Sequence, residues 1–284
     1  MLRAPIYKYF RKRPGLKLKL PPRVLLKNVQ LAAFPGSSHR EHIFVVGPPR
    51  NGTTLIQKII ANHPLVSGPD TETFFFLKRR LDTVQIPEIS SSRTRHHFER
   101  SRTTAQFFDL LADEFTTESQ KFVEKSPEHA LVMKRIFKMF PKSTIIFVYR
   151  DGRDAYVSSL RHPGVRSKIG KHYPRLWRDC MAALTTAQDL PNVIPLKYED
   201  LCTDPAKVLK PALEQCGLSF SPELIAPESY SKTQYSQKNE HKRLAEKISA
   251  KTVGIHRLKE NAEDRRYFES IAEDMLVQFG YSVG

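Results

Sequence analysis

The amino-acid sequence predicts an α/β fold in three layers, with a central, mostly parallel sheet of about five strands between two layers of helices. Short apolar runs with the length of buried strands alternate along the chain with longer segments whose apolar residues recur at helical spacing, which is typical of parallel sheets. The apolar runs are continuous, as expected for strands covered on both faces. With 284 residues, 40% of them hydrophobic, the chain is long enough to bury the core of one large domain.

The regular alternation begins at residue 43. The strands are predicted over residues 43–46, 122–123, 143–149 and 192–198, with a further short strand before residue 70. The helices are predicted over residues 55–60, 129–140, 204–216 and 262–279, with another that begins near residue 151. Two polar, less periodic stretches, 78–103 and 227–252, are interpreted as surface loops or as lids over a site.

Residues 1–40 are predicted to form a basic N-terminal arm, followed by a single domain over residues 41–284. The chain has a net charge of +16, and no acidic residue precedes Glu41. The basic residues of the arm are Arg3, Lys8, Arg11, Lys12, Arg13, Lys17, Lys19, Arg23, Lys27 and Arg40. The arm is interpreted as a solvated leader packed loosely on the domain, or as a segment that makes a weak contact with an anionic surface or substrate. The alternating Leu and Lys of residues 16–20 suit an edge strand or an amphipathic contact.

Several kinds of protein are disfavoured by what the sequence lacks. No apolar run approaches the roughly 18 residues of a membrane span, and no apolar segment follows the basic N-terminus, so we expect a cytoplasmic protein. The cysteines, at positions 180, 202 and 216, have no CxxC spacing and predict neither disulfides nor a zinc site. The histidine pairs 39/42 and 96/97 have no further ligand nearby in the sequence, so no metal site is predicted.

A glycine-rich turn, Gly-Pro-Pro-Arg-Asn-Gly-Thr-Thr over residues 47–54, joins the first strand to a helix. Backbone N–H groups of such a turn point at an anion, helped by the positive end of the helix dipole. The lysine of the nucleotide-triphosphatase pattern is replaced here by Thr53, whereas a cation, Arg50, lies inside the loop. This arrangement favours a phosphosulfate over a triphosphate, and a sulfonyl group carries too little charge to require magnesium. A purely structural turn is the alternative.

A second candidate anchor follows the strand 143–149. Arg150 ends that strand and Ser158 lies about two helical turns later, so both project toward the crevice edge where open α/β sheets bind ligands. A second phosphate is one interpretation. The other is that Arg150 and the charged residues at 151, 153 and 154 only cap and staple the start of a helix.

These two segments together resemble the sulfotransferases that use 3'-phosphoadenosine-5'-phosphosulfate (PAPS). Residues 49–55, Pro-Arg-Asn-Gly-Thr-Thr-Leu, resemble the family's 5'-phosphosulfate loop, above all the P-R-S-G-T-T form of the tyrosylprotein and bacterial branches. The spacing of Arg150 and Ser158 is that of the family's 3'-phosphate motif. The resemblance spans about residues 42–281 and implies a P-loop-like fold, PAPS as donor and adenosine 3',5'-bisphosphate (PAP) as product. The donor-binding residues that it implies are Arg50, Asn51, Gly52, Thr53, Thr54, Arg150 and Ser158.

Further matches extend the resemblance toward the C-terminus. Tyr198, in a Y-E-D-L segment, is similar to the tyrosine that lies near the adenine in the family. Residues 251–257 resemble the loop that closes over the 3'-phosphate, which implies donor contacts from Lys251 and Gly254. His256 stands there in a position where tryptophan is common.

The resemblance also implies catalytic residues. Glu72, in an E-T-F string, is similar to the catalytic glutamate of heparan sulfotransferases, and Asp70 is the alternative base when the tyrosylprotein branch is aligned. Lys125, in E-K-S-P, resembles the lysine that contacts the transferring group. The catalytic histidine of cytosolic members would fall at Pro127, which favours a glutamate base, with His129 as a further alternative.

The sequence therefore predicts in-line transfer of a sulfonate from PAPS to a hydroxyl or amine. Glu72 is expected to deprotonate the acceptor while Arg50 and Lys125 stabilise the phosphosulfate bridge. The acceptor is expected to be a small molecule, with a glycan or lipid headgroup left open, and to enter between residues 74–104 and 227–252; nucleic acid is not expected. Two alternatives remain: an ATP- and magnesium-dependent small-molecule kinase, disfavoured by the missing loop lysine, and a non-catalytic polyanion-binding protein, supported by charge alone.

Overall fold

A computed structural model of the chain describes residues 20–187, 189–226 and 248–284. Its strands are β1 (Ile43–Val46), β2 (Val66–Ser67), β3 (Lys121–Lys125), β4 (Thr144–Tyr149) and β5 (Val193–Lys197). They form a five-stranded sheet in the order β2-β3-β1-β4-β5, and each neighbouring pair is parallel. This parallel five-stranded sheet confirms the predicted fold class. Connections between parallel strands in a sheet of this order place helices on both faces.

The helices of the described residues cover both faces of the sheet. In chain order they are α1 (Pro22–Ala33), α2 (Thr53–Ala61), α3 (Ser91–Arg100), α4 (Thr104–Ala112), α5 (Met133–Met139), α6 (Gly152–Arg161), α7 (Pro163–Lys168), α8 (Tyr173–Thr185), α9 (Tyr198–Thr203), α10 (Pro205–Gln215) and α11 (Ala262–Gln278). Alternate residues of β1 enter two separate apolar cores: Phe44 packs with α4, α5 and α8, whereas Val45 packs with α2 and α10. The central strands are therefore buried on both sides, which explains their continuous apolar sequence.

The structure differs from the predicted elements in several places, among them the helices α1 and α4, which were not predicted, and Tyr198, which begins α9 instead of ending a strand. The predicted helix 129–140 begins as a 3-10 segment, Pro127–Val132, and becomes α-helical only in α5. The polar stretch 78–103 holds the helix α3, which is polar on most sides and packs only Thr94, His97 and Phe98 inward. The helix α8 was not predicted, although its buried residues recur at helical spacing.

The N-terminal region is packed on the domain from residue 22 onward. The helix α1 buries Leu31 completely in the core beside α4. The earlier part of the arm, residues 1–19, and the segment 227–247 of the predicted lid lie outside the described residues. Within the described ranges, the structure has no helix with the length and apolar character needed to cross a membrane.

Candidate active site

The predicted site residues lie where four parallel strands end. Lys125 is the last residue of β3 and pairs in register with Val45 of β1, which is followed after one residue by Gly47. Arg150 directly follows β4, and Tyr198 directly follows β5. Because the carboxyl ends of parallel strands share one edge of the sheet, these residues lie together at the crevice edge, the usual ligand position in open α/β sheets.

The glycine loop lies tightly against its neighbours. A Cβ atom on Gly47 would lie 2.1 Å from the backbone oxygen of Val148, and Gly47 has a φ of +145°. A Cβ atom on Gly52, at φ +97°, would lie 2.6 Å from the Tyr198 ring. Glycine is required at both positions, because any side chain would push the loop off β4 or displace the tyrosine.

Asn51 organises the loop from inside. Its side chain is completely buried, and Nδ2 donates to the carbonyl oxygens of Pro48 at 2.9 Å and Pro49 at 3.0 Å. Its Oδ1 accepts the backbone N–H of Arg150 at 2.8 Å, which ties the loop to the end of β4. The Tyr173 hydroxyl of α8 also donates to Pro49 O. The Asn51 side chain is thus fully engaged by the protein, and Tyr173 is a supporting residue that the sequence reasoning missed.

Arg50 bridges the two predicted anchors. Its Nε donates to Ser158 Oγ of α6 at 3.4 Å. The backbone at Arg50 has a φ of +69°, a left-handed conformation that costs a non-glycine residue about 1–2 kcal/mol. Such strain persists only where the surrounding structure imposes it, and it is concentrated at functional sites.

The N-terminus of α2 faces the crevice without a side-chain cap. Gly52 is the residue that precedes the helix, and no side chain in the described residues accepts a hydrogen bond there. Thr53 is buried at the first helical position and Thr54 is half-buried. The first backbone N–H groups of a helix have no partner within the helix, so this end is suited to bind an anion.

Arg150 is almost entirely buried at the second anchor. Its Nη2 donates to Thr252 O at 2.8 Å, and its guanidinium carbon lies 5.0 Å from the centre of the Tyr198 ring. Its Nε, although buried, has no hydrogen-bond partner among the described residues. A buried guanidinium N–H without an acceptor indicates a place for an anionic group.

Asp154 holds the C-terminal loop, residues 250–257, against α6. Its Oδ2 accepts the Gly254 N–H at 2.7 Å, and its Oδ1 accepts the backbone N–H of His256 at 2.9 Å and contacts His256 Nδ1 at 2.7 Å. Burial alone would raise the pKa of Asp154, but His256, Arg150 and the two backbone N–H groups outweigh it and hold the pKa below its ordinary value. The Gly254 amide is thus bound to Asp154, and Lys251 is exposed.

The charged residues at the start of α6 have two different roles. Asp151 caps the helix by accepting the Arg153 N–H at 2.9 Å, and it also pairs with the Arg153 guanidinium. Arg153 continues to Glu269 of α11 at 2.7 Å. Asp151 and Arg153 thus staple the start of the helix, the role that one interpretation of the sequence gave to all four charged residues. Arg150 and Asp154 instead bind the C-terminal loop.

The predicted base and the predicted lysine form an ion pair. Lys125 Nζ donates to Glu72 Oε1 at 2.8 Å; the lysine side chain is 1% exposed and the glutamate 32%. Asp70, the alternative base, instead pairs with the buried Lys58, and its backbone N–H donates to Glu88 Oε1 at 2.9 Å. Of the two candidate carboxylates, only Glu72 is thus joined to Lys125.

A buried polar network lies directly behind this ion pair. Glu124 Oε1 accepts the hydroxyls of Thr73 at 2.7 Å and Ser126 at 2.6 Å, and its Oε2 lies 3.0 Å from His129 Nδ1. His129 Nε2 accepts the Phe76 N–H at 3.2 Å, so both ring nitrogens are occupied inside the protein and His129 is poorly placed to act as a base. Burial would raise the pKa of Glu124, but His129 and the two hydroxyls hold it below its ordinary value.

The other histidines of the sequence analysis have structural partners. His42 Nε2 lies 2.8 Å from Asp109, and His97 Nε2 lies 2.6 Å from Glu114. Among the residues that the structure describes, no group of three or more His, Cys, Asp or Glu side chains is arranged to hold a metal ion.

Comparison with known proteins gives a consistent result. A profile of the sulfotransferase family matches residues 42–222. Protein-tyrosine sulfotransferase 2 of Gallus gallus is 23% identical over 198 residues, 63% of this chain and 52% of that protein. Nodulation protein NoeE of Sinorhizobium fredii is 20% identical over 276 residues, 84% of this chain and 65% of that protein. The chain thus spans only about half to two thirds of the length of these relatives, and 27% of a matching uncharacterized protein of Aquifex aeolicus.

Solved structures share the fold. The sulfotransferase domain from the Synechococcus PCC 7002 olefin synthase has a TM-score of 0.60 and 19% identity, covering 88% of this chain and 99% of that domain. Mouse sulfotransferase SULT7A1, complexed with PAP, has a TM-score of 0.53 and 15% identity, covering 88% of each chain. The family profile covers well over half of the residues and both anchors of the crevice, and the chain therefore belongs to the sulfotransferase family.

Proposed function

We propose that this protein transfers a sulfonate group from PAPS to a hydroxyl or amine of a small acceptor molecule. The observation that carries the proposal is the joining of two anion-binding elements at one crevice: Arg50, from the loop before α2, contacts Ser158, eight residues after Arg150. One element supplies uncapped backbone N–H groups and the other a buried guanidinium with an unpaired Nε. A donor with phosphates at both its 5' and 3' positions needs two such elements.

The residues present fit such a donor. The loop 50–54 would hold the 5'-phosphosulfate, and Arg150 with Ser158 the 3'-phosphate. Tyr198 would lie near the adenine, while Lys251 and Gly254 belong to the loop that would close over the 3' side. The PAP complex of SULT7A1, which has the same fold, supports this assignment. When bound, PAPS supplies the sulfonate that is transferred.

Three side chains carry the proposed chemistry. Glu72 takes the proton of the acceptor hydroxyl or amine; its partly exposed carboxylate, held by Lys125 Nζ at 2.8 Å, supports this role. Lys125 and Arg50 stabilise the negative charge that develops on the departing side. Glu72, one third exposed, is open to an acceptor, and Lys125, 1% exposed, contacts it from the end of β3.

The acceptor class is proposed more broadly. A base that removes one proton suits a hydroxyl or an amine, and a small molecule is our first candidate, with a glycan or lipid headgroup as the second. The hydrogen bond of Glu88 to the Asp70 N–H joins the stretch 74–104 to the segment that carries Glu72, which supports acceptor entry on that side. The other predicted wall, 227–252, lies largely outside the described residues.

Thermal-shift titration with PAP, and separately with ATP and magnesium, tests the donor assignment. We expect selective stabilisation by PAP, since ligand binding raises the stability of the folded state. Preferential stabilisation by ATP with magnesium, together with magnesium-dependent ATP turnover, would support the kinase alternative. Equal response to any polyanion would support the non-catalytic one.

Variants then separate donor binding from chemistry. Arg50→Ala should lower both PAP affinity and turnover. Glu72→Gln should lower turnover by about 10²–10⁴-fold and leave PAP affinity largely intact. The matched control is Glu118→Gln, at an exposed glutamate just before β3 and hence away from the carboxyl ends of the strands. It should behave as the parent protein. A fully active Glu72→Gln enzyme would remove Glu72 from the mechanism.

A further inference from the structure

The helix α1 has an apolar face that points away from the protein. Leu25, Leu26 and Val29 are 52%, 71% and 45% exposed, and Phe34, directly after the helix, is 63% exposed. Residues 22, 25, 26, 29 and 33 lie on one side of the helix by their spacing, and none of them is polar. This outer face covers about three helical turns.

The inner face of α1 packs on the domain and forms hydrogen bonds with it. The exposed outer face is therefore not the side of the helix that belongs to the core. Leu31 is completely buried, and Asn28 donates to Asp82 Oδ1 and accepts the Leu81 N–H, both at 2.7 Å. Four of the eight large apolar side chains exposed in the described part of the chain lie between residues 25 and 34. Single exposed leucines need no explanation, but a cluster of this kind marks an interaction surface.

The charged residues of α1 and of the sequence before it have one sign only. Arg23 is exposed on α1, Lys27 lies on the same helix, and no acidic residue occurs before Glu41. The preceding sequence interleaves aromatic and basic residues, with Tyr7, Tyr9 and Phe10 immediately before Arg-Lys-Arg at 11–13, and then alternates Leu and Lys over residues 16–20. Apolar, aromatic and basic residues in this combination are typical of segments that lie in the interface of an anionic bilayer.

We propose that α1 and the basic segment before it dock this protein on an anionic membrane surface. The apolar face would enter the headgroup region while the Lys and Arg side chains contact anionic lipid headgroups. Nucleic acid offers the charge but no apolar environment for Leu25, Leu26 and Val29. A second copy of the chain offers the apolar face but brings two basic arms together, and like charges at an interface oppose association. A lipid surface satisfies both requirements.

Co-sedimentation of the full chain with vesicles tests the proposal. Vesicles of phosphatidylcholine alone are compared with vesicles that contain about one third phosphatidylserine. We expect binding to the anionic vesicles only, weakened by salt. The variant Leu25→Ser/Leu26→Ser/Val29→Ser should lower the partition coefficient by about tenfold or more. The charge variant Arg11→Glu/Lys12→Glu/Arg13→Glu should lower it by at least as much.

The chain offers a matched control. Leu65→Ser/Val277→Ser removes two apolar side chains of similar exposure from other surfaces and should leave vesicle binding unchanged. An unchanged thermal shift with PAP would show that each variant is folded, whatever its vesicle binding.

Four results would overturn the proposal. The first is equal loss of vesicle binding in the α1 variant and in the control. The second is binding to a DNA duplex as tight as to vesicles and indifferent to the leucine changes. The third is a dimeric parent chain and a monomeric α1 variant, as detected by light scattering. That result would assign the apolar face to a contact with a second copy of the chain. The fourth is no vesicle binding by the parent chain and a lower Tm for the α1 variant, which assigns the face to residues of the chain itself.

Discussion

Two buried carboxylate–histidine pairs support the two sides of the crevice, and they are built differently. Glu124 with His129 lies behind the Glu72–Lys125 ion pair, and Asp154 with His256 lies beside Arg150. Both carboxylates are 0% exposed, and the pKa of each is held below its ordinary value. In chemical terms the two pairs are nearly the same.

Their difference lies in what they join. Glu124 and His129 are five residues apart and bind the segment 73–76 to the end of β3, inside the core. Asp154 and His256 are 102 residues apart and bind the loop 250–257, with exposed Val253 on it, to α6. The first pair fixes part of the core of the domain, whereas the second holds one loop over one side of the proposed donor site. Loss of the Glu124 carboxylate should therefore mainly lower the free energy of unfolding, whereas loss of the Asp154 carboxylate should mainly lower the affinity for the donor.

The largest effect is expected from Glu124→Ala. The change leaves His129 and the hydroxyls of Thr73 and Ser126 without their common acceptor in a site from which water is excluded. Each buried donor left without an acceptor costs about 1–3 kcal/mol, so the loss of an acceptor shared by three donors should lower the free energy of unfolding by about 3 kcal/mol or more. Urea unfolding followed by circular dichroism measures it.

Glu124→Gln serves as the control for this prediction. The amide keeps one acceptor oxygen and the volume of the side chain, so its cost should be smaller than that of Glu124→Ala. In whatever fraction remains folded, turnover should fall more than PAP affinity, because the segment that carries Glu72 is no longer fixed. A Glu124→Ala protein with the parent's stability would contradict the role assigned to this network.

A smaller effect, on a different quantity, is expected from Asp154→Ala. The loop 250–257 loses its three hydrogen bonds to the carboxylate, and Arg150 loses its neighbouring negative charge at 3.5 Å. We expect PAP affinity to fall about tenfold, equivalent to about 1.4 kcal/mol, with a smaller loss of stability than in Glu124→Ala. Isothermal titration calorimetry with PAP measures the affinity.

The exposed Glu263, at the start of α11, provides a matched acidic control as Glu263→Ala. It should change neither PAP affinity nor stability. If Asp154→Ala unfolds the protein as Glu124→Ala does, or binds PAP as tightly as the parent, then the two pairs do not differ in the way their contacts suggest.

The same contrast shows what the sequence could predict. The sheet could be predicted because each central strand is a continuous apolar run, and the glycine turn between β1 and α2 because its residues are neighbours in the chain. The helix α3 was missed because it is polar on most sides and is held by its packing through Thr94, His97 and Phe98. In that case tertiary contacts override a weak periodic signal.

The supporting residues of the site could not be predicted, because they come from distant parts of the chain. The contact of Tyr173 with the loop and that of Asp154 with His256 span more than a hundred residues. One signal was nevertheless present: Glu124 follows the apolar residues 122–123 in a strand that is buried on both faces. A charged residue at such a position must be paired, so it marks a network before any partner is known.

The smallest effect is expected from pH, and it distinguishes the two pairs further. Because the folded-state pKa of Glu124 lies below its ordinary value of about 4.3, the carboxylate stabilises the protein above that pH, and the stabilisation is lost as the pH falls through the folded-state pKa. The parent's advantage over Glu124→Gln in free energy of unfolding should thus begin to shrink as the pH falls below about 5 and continue to shrink until the folded-state pKa is passed. Asp154 follows the same sign, but its protonation should also weaken its hold on the C-terminal loop, so PAP affinity in the parent should fall only below the ordinary aspartate value of about 3.9, as the pH passes through the lowered folded-state pKa, and stay flatter in Asp154→Asn. A difference in free energy of unfolding between the parent and Glu124→Gln that stays constant down to about pH 3 would show that Glu124 is not held ionised by its network.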